Sequence, residues 1–429
     1  MNKEILRLAI PNIISNISVP LLSSVDTALM GRLSELHIGA VGIGSMIFNF
    51  IYWNFGFLRM GTTGMTAQAY GAKNDGAVTH TLGRALLAVL LVAAGLLVLQ
   101  WPFGQASFFL MNATGEQKGL VAEYFYIRIW AAPATLGLYA FMGWFFGMQN
   151  AIYPLILTVV VNVVNIVLSL YLVQNQGMDV DGVAYGTVIA QYCGLLLAVG
   201  LFCFRYGYLL EHFQRIAILQ WSQLKKFLSI NADIFIRTLA LTAAFAFFYS
   251  QSSAEGGMVL AVNTILLQFL NWMSYGVDGF AFASESLVGK YRGAADDSKT
   301  HRAIRLSFAW GMGLALFFSF GYGLFSTELL QVFTNQKDVL AAARPFLFWM
   351  ALLPVFATPC YIWDGVFIGL TASRAMRNSM ILAFVIFVVT YFATIPLGNH
   401  GLWLTLLLFL LARGGIQYWM YRWRGLELD

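Results

Sequence analysis

The chain has 429 residues, 59% of them hydrophobic, 16% aromatic and only 10% charged, with a mean hydropathy of +0.72. That balance excludes a soluble domain, which carries about 25% charged residues. The 25 basic residues exceed the 20 acidic ones, but their placement encodes topology instead of an affinity for nucleic acid, and the three cysteines (Cys193, Cys203, Cys360) form no disulfide or metal framework.

Twelve continuously apolar runs predict an all-α membrane protein, because about 20 residues suffice for a helix to cross a bilayer. Their limits are 5–31, 38–70, 80–104, 121–147, 152–174, 181–204, 224–251, 256–289, 303–326, 340–369, 376–396 and 399–421. A barrel would need segments of about ten residues with alternating polarity, which are absent. The opening MNKEILRLAIPN has the basic start of a signal peptide, yet its apolar stretch is too long and lacks a small-residue cleavage site, so it reads as a retained first helix. With the N-terminus inside, the other side receives only Arg32, Lys118, Lys337 and Arg344 among the flanking basic residues. This asymmetry places both termini in the cytoplasm.

The first run carries Asp26 on a face shared with Asn12, Ser15 and Ser23, all within about 60° at 100° per residue. A charge in hydrocarbon costs about 2.5–3.5 kcal/mol or more, and an isolated buried acid tends to take up a proton, which makes Asp26 a candidate coupling site for proton-driven transport. Pro11 and Pro20 interrupt the same helix, each removing a backbone hydrogen bond and permitting a bend. Further on, Arg59 and Arg128 are expected to snorkel or to pair. The fifth run presents Asn162, Asn165 and Ser169 on one face and the sixth presents Thr187 and Gln191 four apart. If these helices converge, their polar groups surround Asp26; packing glue between helices is the alternative for each taken singly. The segment 205–222 reads as a cytoplasmic linker, dividing an N-lobe at 1–204 from a C-lobe at 223–429. In the second half Arg237 and Asp364 lie in apolar stretches and are expected to neutralise each other, while Asp278 and Glu285 lie seven apart on one face; all four read as structural or gating charges.

Self-comparison gives matches at a shift of 221 or 222 residues, pairing Gly71-Ala72 with Gly293-Ala294, Arg84 with Arg305, Pro133 with Pro354 and Gly147 with Gly369. Each half holds an even number of spans, so the repeat is parallel, and such transporters bind substrate near the midplane and rock one half against the other. Neither HExxH nor GxSxG occurs, and SESLVGKY at 284–291 departs from a phosphate-binding loop, which weakens hydrolase and ATP-driven readings.

The runs AIPNIISNISVPLLSSVDTALMGRL (9–33), LRMGTTGMTAQAYGAKN (58–74), NVVNIVLSL (162–170) and WDGVFIGLTASRAMRNSM (363–380), set in twelve spans, resemble the multidrug and toxic compound extrusion (MATE) family, its DinF-like branch in particular. The resemblance covers nearly the whole chain. It implies two lobes, drug/cation antiport driven by protons or sodium, Asp26 as the coupling carboxylate, Pro11 as the point where the first helix bends, and Asn165 and Thr187 as polar residues of the N-lobe site. One departure matters: where the family pattern reads NxxxD on the fifth helix, Asn165 is followed by Ser169. A missing second carboxylate removes a strong hard-cation ligand, which weakens a sodium site at Asp26, Asn165 and Thr187 more than a proton site.

The resulting expectation is a monomeric exporter in the bacterial inner membrane, handling amphipathic, cationic or aromatic small molecules among membrane lipids. It needs no cofactor beyond a coupling proton, with sodium as the alternative ion. Two other classes stay open. A lipid flippase calls for several cavity cations, for which Arg59, Arg128 and Arg237 are the candidates; a membrane-embedded enzyme or receptor predicts no ion-driven flux.

Overall fold

The computed structural model describes residues 1–30, 35–111 and 115–428, with the side chains of 19–35 outside the description. Its long helices are α1 (Asn2–Met30), α2 (Leu36–Gly71), α3 (Asp75–Val98), α4 (Gly115–Gly147), α5 (Ile152–Gln174) and α6 (Val180–Tyr206). They are followed by α7 (Trp221–Ala254), α8 (Gly257–Gly293), α9 (Asp297–Phe333), α10 (Lys337–Gly369), α11 (Ser373–Thr394) and α12 (Asn399–Arg424). Among the described residues the eleven from α2 to α12 are long and apolar enough to cross a membrane. Proline and turn residues mark the internal irregularities: α2 breaks at Phe55–Gly56, and α4 tightens into a 3-10 turn at Ile129–Ala131 just before Pro133. This is a multi-pass, all-helical membrane fold.

The chain divides into two compact units, one of Ile14–Leu228 and one of Met1–Ile13 with Ser229–Asp429. These limits differ from the expected lobes 1–204 and 223–429 at two places, and side chains explain both. The start of α1 docks on the later unit: Glu4 accepts hydrogen bonds from Lys290 Nζ at 3.0 Å and Tyr291 Oη at 2.9 Å. Gly279 lies so close to α1 that a Cβ there would sit 2.9 Å from the Ala9 carbonyl oxygen. The segment expected to be a linker instead folds onto the earlier unit. Its 3-10 stretch Gly207–His212 and the turn Arg215–Ile218 are pinned by α3, where Thr79 Oγ1 donates to Leu209 O (3.2 Å), Arg84 Nη2 to Ala217 O (2.8 Å) and Arg84 Nε to Ile218 O (3.2 Å). Leu209 is fully buried there.

The repeat is written into the backbone. Among the described residues four that are not glycine have left-handed φ, Lys73 (54°), Gln149 (61°), Ala295 (53°) and Thr371 (57°), and they fall at equivalent places in the two halves. Each ends a helix with the same paired bonds: Asn74 N–H to Ala69 O and Lys73 N–H to Tyr70 O in one half, Asp296 N–H to Tyr291 O and Ala295 N–H to Arg292 O in the other. The next helix then starts on a capping side chain, Asn74 accepting from Ala77 N and Asp296 from Lys299 N, each at 2.9 Å. Inside each unit one pair of helices crosses at a GxxxG step. A Cβ at Gly143 would lie 2.3 Å from Arg59 O, and one at its counterpart Gly365 would lie 2.2 Å from Ala281 O. In lipid, helix association rests on such close packing and on hydrogen bonds, not on water exclusion, which is why α2–α4 and α8–α10 form the spine of their units.

Candidate functional site

Within the unit Ile14–Leu228, α1 meets α5 through hydroxyls and amides. Ser15 Oγ donates to Thr158 Oγ1 at 2.9 Å, and one turn on Asn162 Nδ2 reaches Ser18 O and Ser18 Oγ, both at 3.3 Å. Thr158 and Asn162 are four apart and so share a face of α5. The same helix turns Asn165 and Ser169 toward α6. Asn165 Nδ2 donates to Thr187 Oγ1 at 2.8 Å, and Thr187 Oγ1 in turn donates to Val183 O at 2.9 Å. Ser169 sits against Gly186, where an added Cβ would approach its Oγ to 2.6 Å. Asn165 and Ser169 are fully buried, yet Asn165 Oδ1 and Ser169 Oγ have no hydrogen-bond partner among the described residues. Buried polar atoms are nearly always satisfied, so two such oxygens one turn apart on α5 mark a place for a hydrogen-bonding group or a cation. Gln191 is half-buried one turn along α6 from Thr187.

Asn162, Asn165 and Thr187, singled out in the sequence, make these contacts, and Ser169 lies beside Gly186; Ser18 and Thr158 were not singled out. Their signal was weak: hydroxyls at three- and four-residue steps from Ser15 and Asn162. Of the stripe read on the first helix, Asn12 and Ser15 are described, three residues apart on the continuous α1. Asn12 is buried and donates its Nδ2 back to Leu8 O at 2.9 Å, and Ser15 donates to Thr158 of α5. The helical backbone runs on through Pro11 and Pro20. The side chains of Pro20, Ser23 and Asp26 lie outside the described residues.

The second unit gathers charge. Asp364 of α10 accepts from Arg237 of α7, from Arg413 Nη2 of α12 at 2.7 Å and from Gln417 Nε2 at 2.7 Å. All four residues are at most 8% exposed, and Asp278 adds a second carboxylate attracted to Arg237. The pairing of Arg237 with Asp364 follows the sequence expectation; Arg413 and Gln417, inside α12, were not singled out, because a partner on another helix leaves no local pattern. Glu285 is buried at the α8–α10 crossing, its carbonyl 2.7 Å from where a Gly369 Cβ would stand. A further buried acid, Asp233, accepts from Ser373 Oγ at 2.8 Å and from Arg377. Arg128 departs from expectation in the first unit: it neither snorkels nor meets a carboxylate among the described residues, but lies over the rings of Phe48 (5.2 Å) and Tyr52 (5.5 Å). Arg59 likewise lies over Phe146 at 5.9 Å.

A family model for MatE matches residues 11–171 and again 234–404, one copy for each half of the repeat. The chain belongs to the MatE family. Members of this family are transporters of small toxic compounds and drugs, not enzymes. The chain is 37% identical over 429 residues to the DNA damage-inducible protein F of Escherichia coli K12, covering 99% of this chain and 93% of that one. It is 21% identical over 97% of its length to a probable multidrug resistance protein NorM of Thermotoga maritima, of which it covers 91%. A crystal structure of MATE in the straight conformation superposes with a TM-score of 0.88 at 20% identity, covering 99% of this chain and 96% of that chain. This MatE chain therefore shares the fold of twelve membrane helices in two parallel six-helix repeats.

Proposed function

We propose that this MatE protein is a proton-coupled antiporter that exports amphipathic, cationic or aromatic small molecules across the bacterial inner membrane, working as a monomer with both termini in the cytoplasm. Asp26 is the protonation site. The observation that carries the reading is the pair of open, buried oxygens at Asn165 and Ser169, beside the seam that joins α1 to α5. Asn165 Oδ1 only accepts, so a protonated carboxyl supplies the donor it lacks and a carboxylate does not, while the Ser169 hydroxyl can donate to either form. Proton binding from outside then favours closure of polar groups around Asp26, bending of α1 at Pro11 with Pro20 as a second flexible point, and release of substrate. Loss of the proton inside resets the cycle. Exchange of one proton for one monovalent cation is electroneutral and draws on the pH gradient alone, about 1.4 kcal/mol per unit.

A sodium ion held by Asp26, Asn165 and Thr187 is the competing reading, since Asn165 Oδ1 is an oxygen ligand left open. Against it, Thr187 Oγ1 is engaged by Asn165 and Val183, and Ser169 supplies no second carboxylate. Substrate release from proteoliposomes under a proton gradient, then under a sodium gradient of equal size, separates the two. Flux driven by protons alone and abolished in Asp26→Asn supports the proposal. Flux driven by sodium, or an Asp26→Asn protein that exports as well as the parent, overturns it.

A further inference from the structure

The two units differ at one repeated groove. In Ile14–Leu228, the groove beside α3 is filled by the chain itself: Arg84 donates to the carbonyl oxygens of Ala217 and Ile218, and His80 Nε2 lies 3.1 Å from His212 O. Gly83 makes room there, since a Cβ on it would stand 2.5 Å from the Ile218 side chain. The counterparts of His80 and Arg84 in the second unit are His301 and Arg305 on α9, at the repeat shift of 221 residues. These two line an open cavity of about 580 Å³ between α9, α10 and α12. Its remaining wall is aromatic and aliphatic: Trp363 packs 4.8 Å from Tyr421 and 5.0 Å from Phe308, with Tyr418 at 6.1 Å, beside Ile304 and Leu411. No acidic side chain lines it.

The chemistry of the wall selects an occupant. A guanidinium with no acid beside it calls for an anion or strong acceptor, as Arg84 does in the other unit, and Arg305 is exposed at the mouth. The aromatic and aliphatic surface behind it calls for a hydrocarbon chain. Arg302, Arg422 and Arg424 lie exposed at the same end of the helices, where Asp296 and Asp297 are paired with Lys299 and Arg292, so the groove opens at a basic rim. A soluble organic cation is repelled by this arrangement and a free inorganic anion leaves the apolar wall uncovered. We propose that the groove between α9, α10 and α12 binds an anionic phospholipid, with its phosphate on Arg305 and an acyl chain along Trp363 and Phe308. The lipid oxygens take the role that the Ala217 and Ile218 carbonyls play in the first unit, and the acyl chain takes the role of Ile218. The site is independent of Asp26 and of the coupling ion.

The test uses the full-length protein in mild detergent and native mass spectrometry with phosphatidylglycerol or phosphatidylcholine. Phosphatidylglycerol is expected to be retained preferentially, and Arg305→Gln to weaken that retention about fivefold, the worth of one well-placed basic residue at a lipid surface. Arg302→Gln, outside the cavity, is expected to leave it within about twofold, consistent with a diffuse contribution screened over a Debye length. In parallel, brominated phosphatidylglycerol should quench a component of tryptophan fluorescence that disappears in Trp363→Phe. Equal retention of the two lipids, equal losses in Arg302→Gln and Arg305→Gln, displacement by millimolar inorganic phosphate, or quenching unchanged in Trp363→Phe each overturns the proposal.

Discussion

At Asn165 and Thr187 one unit joins two helices through a neutral amide and hydroxyl 2.8 Å apart; at Asp364 the other joins α7, α10 and α12 through a buried carboxylate shared by two arginines and a glutamine. The spine beneath them is the same, with Gly143 against Arg59 O and Gly365 against Ala281 O. What differs is how easily the polar layer rearranges. Interhelical hydrogen bonds in membrane proteins average about 0.6 kcal/mol, so the Asn165 contact exchanges partners at small cost. Removing one member of a buried ion network costs about 3–5 kcal/mol. A duplicated scaffold has thus acquired one half whose polar layer can exchange partners and one half suited to hold its shape.

The sharpest way to break this contrast is Asp364→Asn, which leaves Arg237 and Arg413 without their anion. Thermal unfolding in detergent is expected to show a loss of about 3–5 kcal/mol. A change below about 1 kcal/mol, the range of a single neutral hydrogen bond, would mean the network is not what holds α7, α10 and α12 together. Next come Gly143→Ala and Gly365→Ala, each forcing a Cβ onto a backbone oxygen. Both should lose about 1–3 kcal/mol, and by similar amounts, because the crossing is the same; unequal losses would show that the equivalence of the two spines is only geometric. Asn165→Ala is expected to lose only about 1 kcal/mol of stability. Its proton-driven flux should nonetheless fall well below the parent's, and unchanged flux would remove the open oxygen from the mechanism.

The smallest effect concerns Glu4, which precedes the first apolar run. Burial pushes its carboxyl up, but hydrogen bonds from Lys290 and Tyr291 and the charge of Lys290 outweigh that and hold it below its ordinary 4.5. A depressed acid stabilises the fold above its unfolded value and loses that contribution as pH falls through the folded one. Hydrogen exchange over residues 2–13 should therefore quicken as pH drops below about 4, after correction for intrinsic rates, and Glu4→Gln should abolish the step.

The twelve spans were legible because a bilayer imposes a length on apolar runs, and the repeat because Gly71-Ala72 and Gly147 recur. The left-handed turns at Lys73 and Ala295 were not legible: neither residue type favours that backbone, and only the shared hydrogen bonds of the turn hold them there. The segment 205–222 misled for a related reason. Its charges mark a linker, but Leu209 and Ile218 are anchors whose meaning depends on Thr79 and Arg84, more than a hundred residues away. In the site, Asn165 and Thr187 stood out as polar groups in apolar runs. Arg413 did not, since partnership with Asp364 across two helices leaves no local pattern.

The docking of Glu4 on Lys290 and Tyr291 sets an order of events during biosynthesis. The contact spans 286 residues. At about 5–20 residues per second the first helix must wait roughly a quarter of a minute to a minute before its partner helix exists. During that interval its opening turns belong to a unit not yet made, while its later turns already have α5 to lean on once residue 174 has emerged. The opening turns of α1 thus find their partner only once Lys290 and Tyr291 have been made, so premature pairing of residues 2–13 with another surface is an error to which this stretch is exposed while the chain is assembled.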